Sequence, residues 1–302
     1  MVIVNWNGSE DTISCVKSLV YANADFHRII VVDNGSNEND LRNLGEGVTG
    51  NVEIIKNHQN LGFAAANNVG MKRALGQGCT HVLLLNNDTI VTRDFLSQLL
   101  DGLDAYPQAG IATPKILYLD RKDTIWAAGG RLVWWFNHFN IGMEQKAVAC
   151  CGEARVVDFV SGACMLLKRE VIEKIGFLPL DYFMGMEDID YCYHARQFGY
   201  LSLYWPKSEI YHKVSASYMR GKLDYLIVYL GVRNSIVFRA KYFSKARLAV
   251  YVSVLVVSSL PLYVAHFLLR KRDLKLMGEY IRGLVRGLKE AIEIYDERSQ
   301  TR

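Results

Sequence analysis

Four apolar runs in the first third of the chain close on side chains able to hold a polar ligand. Asn5 ends the run from Val2, Asp33 the run from Arg28, Asn57 the run from Val52, and Asn86-Asn87-Asp88 the run from His81. In an open parallel sheet the carboxyl ends of the strands line one crevice, so a polar set repeated at four of them converges on a single ligand. Taken singly, each of these residues also serves as a helix cap or turn former. A second group, Glu187, Asp188 and Asp190, opens a helical pattern. A carboxylate there can take the proton of an attacking hydroxyl, or it can simply complement the helix dipole.

The elements that must position these groups alternate. Short β-branched runs at Val2 to Asn5, Arg28 to Asp33, Val52 to Asn57, His81 to Asn86 and Gly110 to Thr113 are separated by segments of helical periodicity. That alternation predicts a parallel α/β sheet with right-handed crossovers. Ser9 is placed to cap the first helix, with further helices over Phe63 to Leu75 and Asp94 to Ala105. From Pro114 to Asp158 the pattern becomes irregular and partly β, with an aromatic run at Trp134 to Phe139. Order returns at Lys168 to Ile175, in a helix over Glu187 to Phe198 closed by Gly199, and in a strand over Tyr200 to Trp205.

Composition narrows the partners. The chain has 302 residues, half of them hydrophobic, and a net charge of +4, which points away from disorder and from nucleic acid. Six cysteines without C-x-x-C spacing read as reduced and cytosolic. Met1 leads straight into Val2-Ile3-Val4, so no secretory signal is expected. Asn5-Trp6-Asn7-Gly8 after the first strand lacks the glycine-rich turn that a dinucleotide or a triphosphate needs, which sets aside a dehydrogenase and a sugar nucleotidyltransferase.

Five strings in order make a resemblance. Val2 to Asn7, Val31-Val32-Asp33-Asn34-Gly35-Ser36, Asn60-Leu61-Gly62-Phe63 with Ala66-Asn67-Asn68-Val69-Gly70, Leu85-Asn86-Asn87-Asp88 and Glu187-Asp188-Ile189-Asp190 together resemble the family 2 glycosyltransferases, in particular their rhamnosyltransferase-like and galactofuranosyltransferase-like members. The match covers about residues 1 to 240.

The resemblance implies a GT-A fold, α/β with a mostly parallel central sheet. Residues 1–113 would be the nucleotide-sugar-binding half, 114–240 the acceptor-binding half, and 241–302 a membrane-associated helical tail. It implies nucleotide binding at Asn5, Asp33, Asn34, Asn60, Gly62, Asn67, Asn87 and Asp88, with Asp33 reading the uracil or thymine edge. Asp88 falls in the metal-binding D-x-D motif, whose first position here is Asn86, a weaker ligand for a hard cation. His212 matches the family's metal-binding histidine, and Mn²⁺ or Mg²⁺ is the implied cofactor. Asp188 aligns with the catalytic base and Glu187 with a residue that orients the acceptor. Ser161 and Gly162 resemble the loop beside donor sugar and acceptor, and Arg233-Asn234 would meet a phosphate or the acceptor.

The expected activity is inverting, metal-dependent transfer of a sugar from a UDP-, dTDP- or GDP-linked donor to a lipid-linked or polysaccharide hydroxyl. The alternative is a silent nucleotide-sugar-binding protein, motivated by Asn86. Leu248 to Leu269 contains no Asp, Glu, Lys or Arg and is long enough for a hydrocarbon span of about 20 residues. Basic residues flank both ends and Pro261 offers a break, so the segment either spans the bilayer or enters it as a re-entrant hairpin or an in-plane pair of helices at the cytoplasmic face, with a buried core helix as the alternative. The tail from Asp273 to Ile294 is amphipathic.

Overall fold

The computed structural model describes residues 1–22, 26–214, 224–261 and 274–300. By packing, the chain divides into two units. One comprises Met1–Arg131, Phe139–Phe183 and Glu187–Ser217, and the other Leu132–His138, Met184–Met186 and Tyr218–Arg302.

The first unit opens with β1 (Val2–Asn5), α1 (Ser9–Tyr21), β2 (Ile29–Asn34), α2 (Glu38–Gly47), β3 (Val52–Asn57), α3 (Phe63–Gly76) and β4 (His81–Asn86). β1 pairs in parallel with β2 and β4, and β2 in parallel with β3. The near-continuous apolar runs of β1 and β2 are what a strand covered on both faces requires, and both strands are buried almost throughout. In α1, Thr12, Cys15, Val16 and Leu19 form the buried stripe. Gly8, not Ser9, holds its cap position; Ser9 is the first helical residue and donates its N–H to Asp40 Oδ1 at 2.9 Å. Helix α2 buries Leu44 alone, so it carries no apolar period by which to recognise it.

The chain continues through β5 (Thr89–Val91), α4 (Phe95–Ala105), β6 (Ala109–Tyr118), β7 (Ile125–Ala127), β8 (Gly130–Leu132), β9 (His138–Asn140), β10 (Arg155–Val157), β11 (Cys164–Lys168), α5 (Arg169–Ile175), α6 (Glu187–Gln197) and β12 (Leu201–His212). The sheet order is β10-β12-β6-β11-β4-β1-β2-β3, with β5 on β12 and β7 on β6. β11 runs antiparallel to both β4 and β6. β12 extends beyond the expected end at Trp205 by a register shift between Trp205 and Glu209. Pro206 lies in that irregularity, where its missing N–H costs no ladder bond.

In the second unit, α7 (Asp224–Tyr242), α8 (Lys245–Val254) and α9 (Leu274–Gln300) share one core of Val232, Ile236, Ala240, Leu248, Tyr251, Leu255, Tyr280 and Ala291. Arg239, fully buried, donates to the Trp134 and Ser235 carbonyls at 2.9 Å each and lies over the Tyr251 ring. Residues 262–269 of the uncharged stretch, and Asp273 at the start of the tail, lie outside the described residues. Among the described residues no helix is long and apolar enough to cross a membrane.

Cys150 and Cys151 are joined as a disulfide, whereas Cys15, Cys79, Cys164 and Cys192 are free. The sequence reading takes all six cysteines, the vicinal pair included, as reduced, and the pairing of Cys150 with Cys151 departs from it.

Candidate active site

The carboxyl ends of β1 and β2 carry one polar network. Asn5, at 0% exposure, is its hub. Its Nδ2 donates to Asp33 Oδ1 and Asp40 Oδ2, both at 2.9 Å, and to Ser36 Oγ at 3.2 Å, while Thr12 Oγ1 donates to its Oδ1 at 2.7 Å. Asn5 therefore orients Asp33, and its amide hydrogens are committed to protein partners. Ser36 N–H donates to Asp33 Oδ2 at 3.2 Å, fixing the other oxygen of that carboxylate. Burial opposes the charge on Asp40, but hydrogen bonds from Ser9, Asn5 and Ser36 outweigh it and hold the carboxyl below its usual value. Asp40 and Thr12 escaped notice in the sequence because each sits one turn into a helix, where Asp and Thr are ordinary.

A second network joins β2 to the entrance of α3. Asn34 Nδ2 donates to Asn60 Oδ1 at 2.8 Å and Asn34 Oδ1 accepts from Leu61 N–H and Asn57 Nδ2, both at 3.1 Å. Asn60 Oδ1 also accepts from Gly62 N–H at 2.9 Å. Gly62 has φ +85°, and a Cβ there would collide with the Phe183 carbonyl oxygen. Asn67, 2% exposed, donates to the Phe63 carbonyl within α3.

At the end of β4, Asn87 Nδ2 donates to Thr12 Oγ1 at 3.0 Å, tying this strand to the first network. Asp88 Oδ1 lies 3.0 Å from His212 Nε2, and both residues are buried. They are far apart in sequence, but the antiparallel pairing of β5 with β12 sets His212 opposite Thr89. Trp126 packs its ring edgewise on the imidazole at 4.6 Å. His212 Nδ1 is buried without a hydrogen-bond partner among the described residues.

The donor set suits a divalent cation in two respects. A spacing of 3.0 Å is that of two neighbouring ligands on one ion with bonds of about 2.0–2.2 Å, and carboxylate and imidazole are both ligands of divalent first-row metals. Among the described residues no group of three or more His, Cys, Asp or Glu side chains could hold a metal by itself.

The acidic motif fills the first turn of α6, where Glu187, Asp188 and Asp190 all complement the helix N-terminus. Their environments separate them. Asp190, buried, accepts from Tyr182 Oη at 2.6 Å. Glu187 is 5% exposed. Half-buried Asp188 instead reaches out of its helix, its Oδ2 accepting from Gly162 N–H at 2.9 Å while Oδ1 accepts from Ile189 N–H at 2.8 Å. Burial pushes its carboxyl above the usual range, with the Gly162 and Ile189 N–H groups pulling the other way. The loop it meets is the one expected: Ser161 Oγ accepts from Ala163 N–H at 3.2 Å, and Ala163 O accepts from Asn86 N–H at 2.9 Å. Two hydrogen bonds thus connect the backbone at Asn86 to the carboxylate of Asp188. Arg233 is on α7 in the second unit, paired with Glu290.

Against known proteins, residues 1–176 match the family described as Glycosyl transferase family 2. The chain belongs to that family. This family 2 chain is 31% identical over 206 residues to the uncharacterized protein y4gI of Sinorhizobium fredii, an alignment covering 65% of the chain and 22% of that much longer relative. It is 26% identical over 247 residues to the low-salt glycan biosynthesis hexosyltransferase Agl10 of Haloferax volcanii, covering 82% and 76% of the two chains. It is 25% identical over 221 residues to the N-acetylglucosaminyl-diphospho-decaprenol L-rhamnosyltransferase of Mycobacterium tuberculosis, covering 66% and 70%. Among solved structures, the mannosyltransferase PcManGT of Pyrobaculum calidifontis, in complex with GDP-Man and Mn²⁺, superposes with a TM-score of 0.54 at 15% identity, covering 96% of this chain and 85% of that one. The fold of the family 2 chain is that of the GT-A glycosyltransferases.

Proposed function

We propose that the protein is an inverting glycosyltransferase that moves a hexosyl or rhamnosyl group from a nucleoside diphosphate donor to a hydroxyl of a lipid-linked or polysaccharide acceptor. The observation that carries this reading is the hydrogen-bonded path Asn86–Ala163 and Gly162–Asp188, which ties a proton-accepting carboxylate to the strand end bearing Asp88. Asp33, held by Asn5 and Ser36, would meet the base of the nucleotide. Asp188 takes the proton of the acceptor hydroxyl as that oxygen bonds to the anomeric carbon and the diphosphate departs with its electron pair. A base with a raised pKa is the stronger base. One carboxylate acting in one displacement inverts the anomeric centre, in contrast to the two-step route through a glycosyl-enzyme.

Asp88 and His212 would hold Mn²⁺ or Mg²⁺, and a bound cation supplies positive charge to the departing diphosphate. The Mn²⁺ in the mannosyltransferase structure supports the use of a divalent cation. The relative named for rhamnosyl transfer to a decaprenol-linked sugar supports a lipid-linked acceptor. With such an acceptor the protein would work at the cytoplasmic face of the membrane, and exposed Val250, Val256 and Val257 in the described part of the uncharged stretch support a lipid-facing surface there.

The test is a donor screen on detergent-purified protein, following nucleoside diphosphate release from UDP-, dTDP- and GDP-sugars with Mn²⁺, Mg²⁺ or EDTA and lipid-linked acceptors. Release that one donor class supports and EDTA abolishes is expected. Donor binding without release under every condition would instead favour a silent binding protein, the reading that Asn86 raises.

A further inference from the structure

The second unit holds a polar relay that ends on the loop just before the acidic motif. Gly185 and Met186 in that loop both have positive φ, 80° and 84°. Glycine adopts this region freely, but Met186 carries a Cβ, and such a conformation persists only where the surroundings impose it. The group placed to impose it is Asn234 on α7, 1% exposed, whose Nδ2 donates to the Met184 carbonyl at 3.0 Å and the Gly185 carbonyl at 2.8 Å.

A carboxamide can serve two carbonyls only when its nitrogen faces them; turned over, it presents an acceptor to acceptors. Arg233 decides the orientation, donating Nη1 to Asn234 Oδ1 at 2.9 Å. Its other terminal nitrogen, Nη2, pairs with the Glu290 carboxylate on α9, which also receives Arg286 Nε one turn away. The Arg233 and Glu290 side chains are 16% and 13% exposed, so the pair is largely shielded from water and salt. A lysine in place of Arg233 would keep the charge but lose the planar fork that holds carboxylate and amide together.

We propose that Glu290 and Arg233 are positioning residues for sugar transfer. They lock the Asn234 amide, the amide fixes the backbone of Met184–Met186, and that backbone sets where Glu187 and Asp188 begin α6. The C-terminal helix thereby acts on the base through four linked groups without touching substrate. This rests on Asp188 being the base, and reacting groups displaced by about 1 Å cost up to a hundredfold in rate.

The full chain is compared as wild type, Glu290→Gln, Arg233→Lys, the double variant and Asp188→Asn. Steady-state nucleoside diphosphate release gives kcat and donor KM, and deuterium exchange is followed in peptides spanning 183–189 and 29–34. Each single relay variant is expected to lower kcat about tenfold with donor KM within about twofold, and to speed exchange in 183–189 but not in 29–34. The double variant should be no slower than the worse single, since both act through one amide. Wild-type kcat and unchanged 183–189 exchange in Glu290→Gln and Arg233→Lys, with Asp188→Asn inactive, would overturn the relay alone. So would a kcat loss matched by an equal loss of donor affinity. Turnover surviving in Asp188→Asn would overturn the base assignment, and the exchange data, which need no turnover, would still decide the relay.

Discussion

At the residue scale the site separates groups that meet ligand from groups that hold them. Asn5 reads in sequence as a nucleotide contact, yet its side chain is spent on Asp33, Asp40, Ser36 and Thr12. Replacing Asp40 by Asn removes a charged acceptor shared by Asn5 and the Ser9 N–H, so donor KM should rise about tenfold with a smaller change in kcat; equal losses in both would place Asp40 in the chemistry instead. Because its folded pKa is depressed, Asp40 contributes stability that is present above the unfolded pKa and lost as pH falls through the folded one. Asp188 has the opposite sign. Its folded pKa is raised, so its contribution is fully present below the unfolded pKa and lost as pH rises through the folded value. At pH 8 Asp188→Asn should therefore melt no lower than wild type, and the acid limb of the wild-type kcat profile should lie above the ordinary carboxylate range. A scan at pH 8 showing a clear drop in Tm would assign Asp188 a structural role.

At the scale of elements, what was legible and what was not have physical causes. β1 and β4 announce themselves because strands covered on both faces must be apolar throughout. Helix α2 does not, since Leu44 is its one buried residue. The continuation of β12 to His212 was hidden by Pro206, which usually ends a strand and here falls in a bulge. That continuation is what brings His212 to Asp88, so the pair was visible in sequence only through family resemblance. The Asn234 hold on Met184 and Gly185 had no local signal at all, because it depends on residues about fifty positions apart. Gly62 illustrates how an element's start is fixed: its φ of +85° and the Phe183 carbonyl leave no space for a side chain. Gly62→Ala should cost about 1–3 kcal/mol in urea unfolding and weaken donor binding, because the Asn60 loop would have to move. A variant as stable as wild type would mean the loop adapts at no cost.

At the scale of the whole molecule, the proposed function requires that the β1 and β2 ends, the Asp88–His212 pair and Asp188 act on one donor. Asp33, the Asp88–His212 pair and Asp188 all belong to the first unit, and hydrogen bonds bridge the β4 end to Asp188. Chelation should consequently remove turnover without unfolding the protein, which a melting curve in EDTA would show as a Tm within a few degrees of the metal-loaded value. The most direct measurement compares donor binding with sugar transfer in Asp188→Asn and wild type, both saturated with Mn²⁺. Donor affinity within about threefold of wild type and transfer slowed by about 10²–10⁴ is the predicted result. Transfer at the wild-type rate would show that Asp188 is not the base and that the chemistry attributed to this site is wrong.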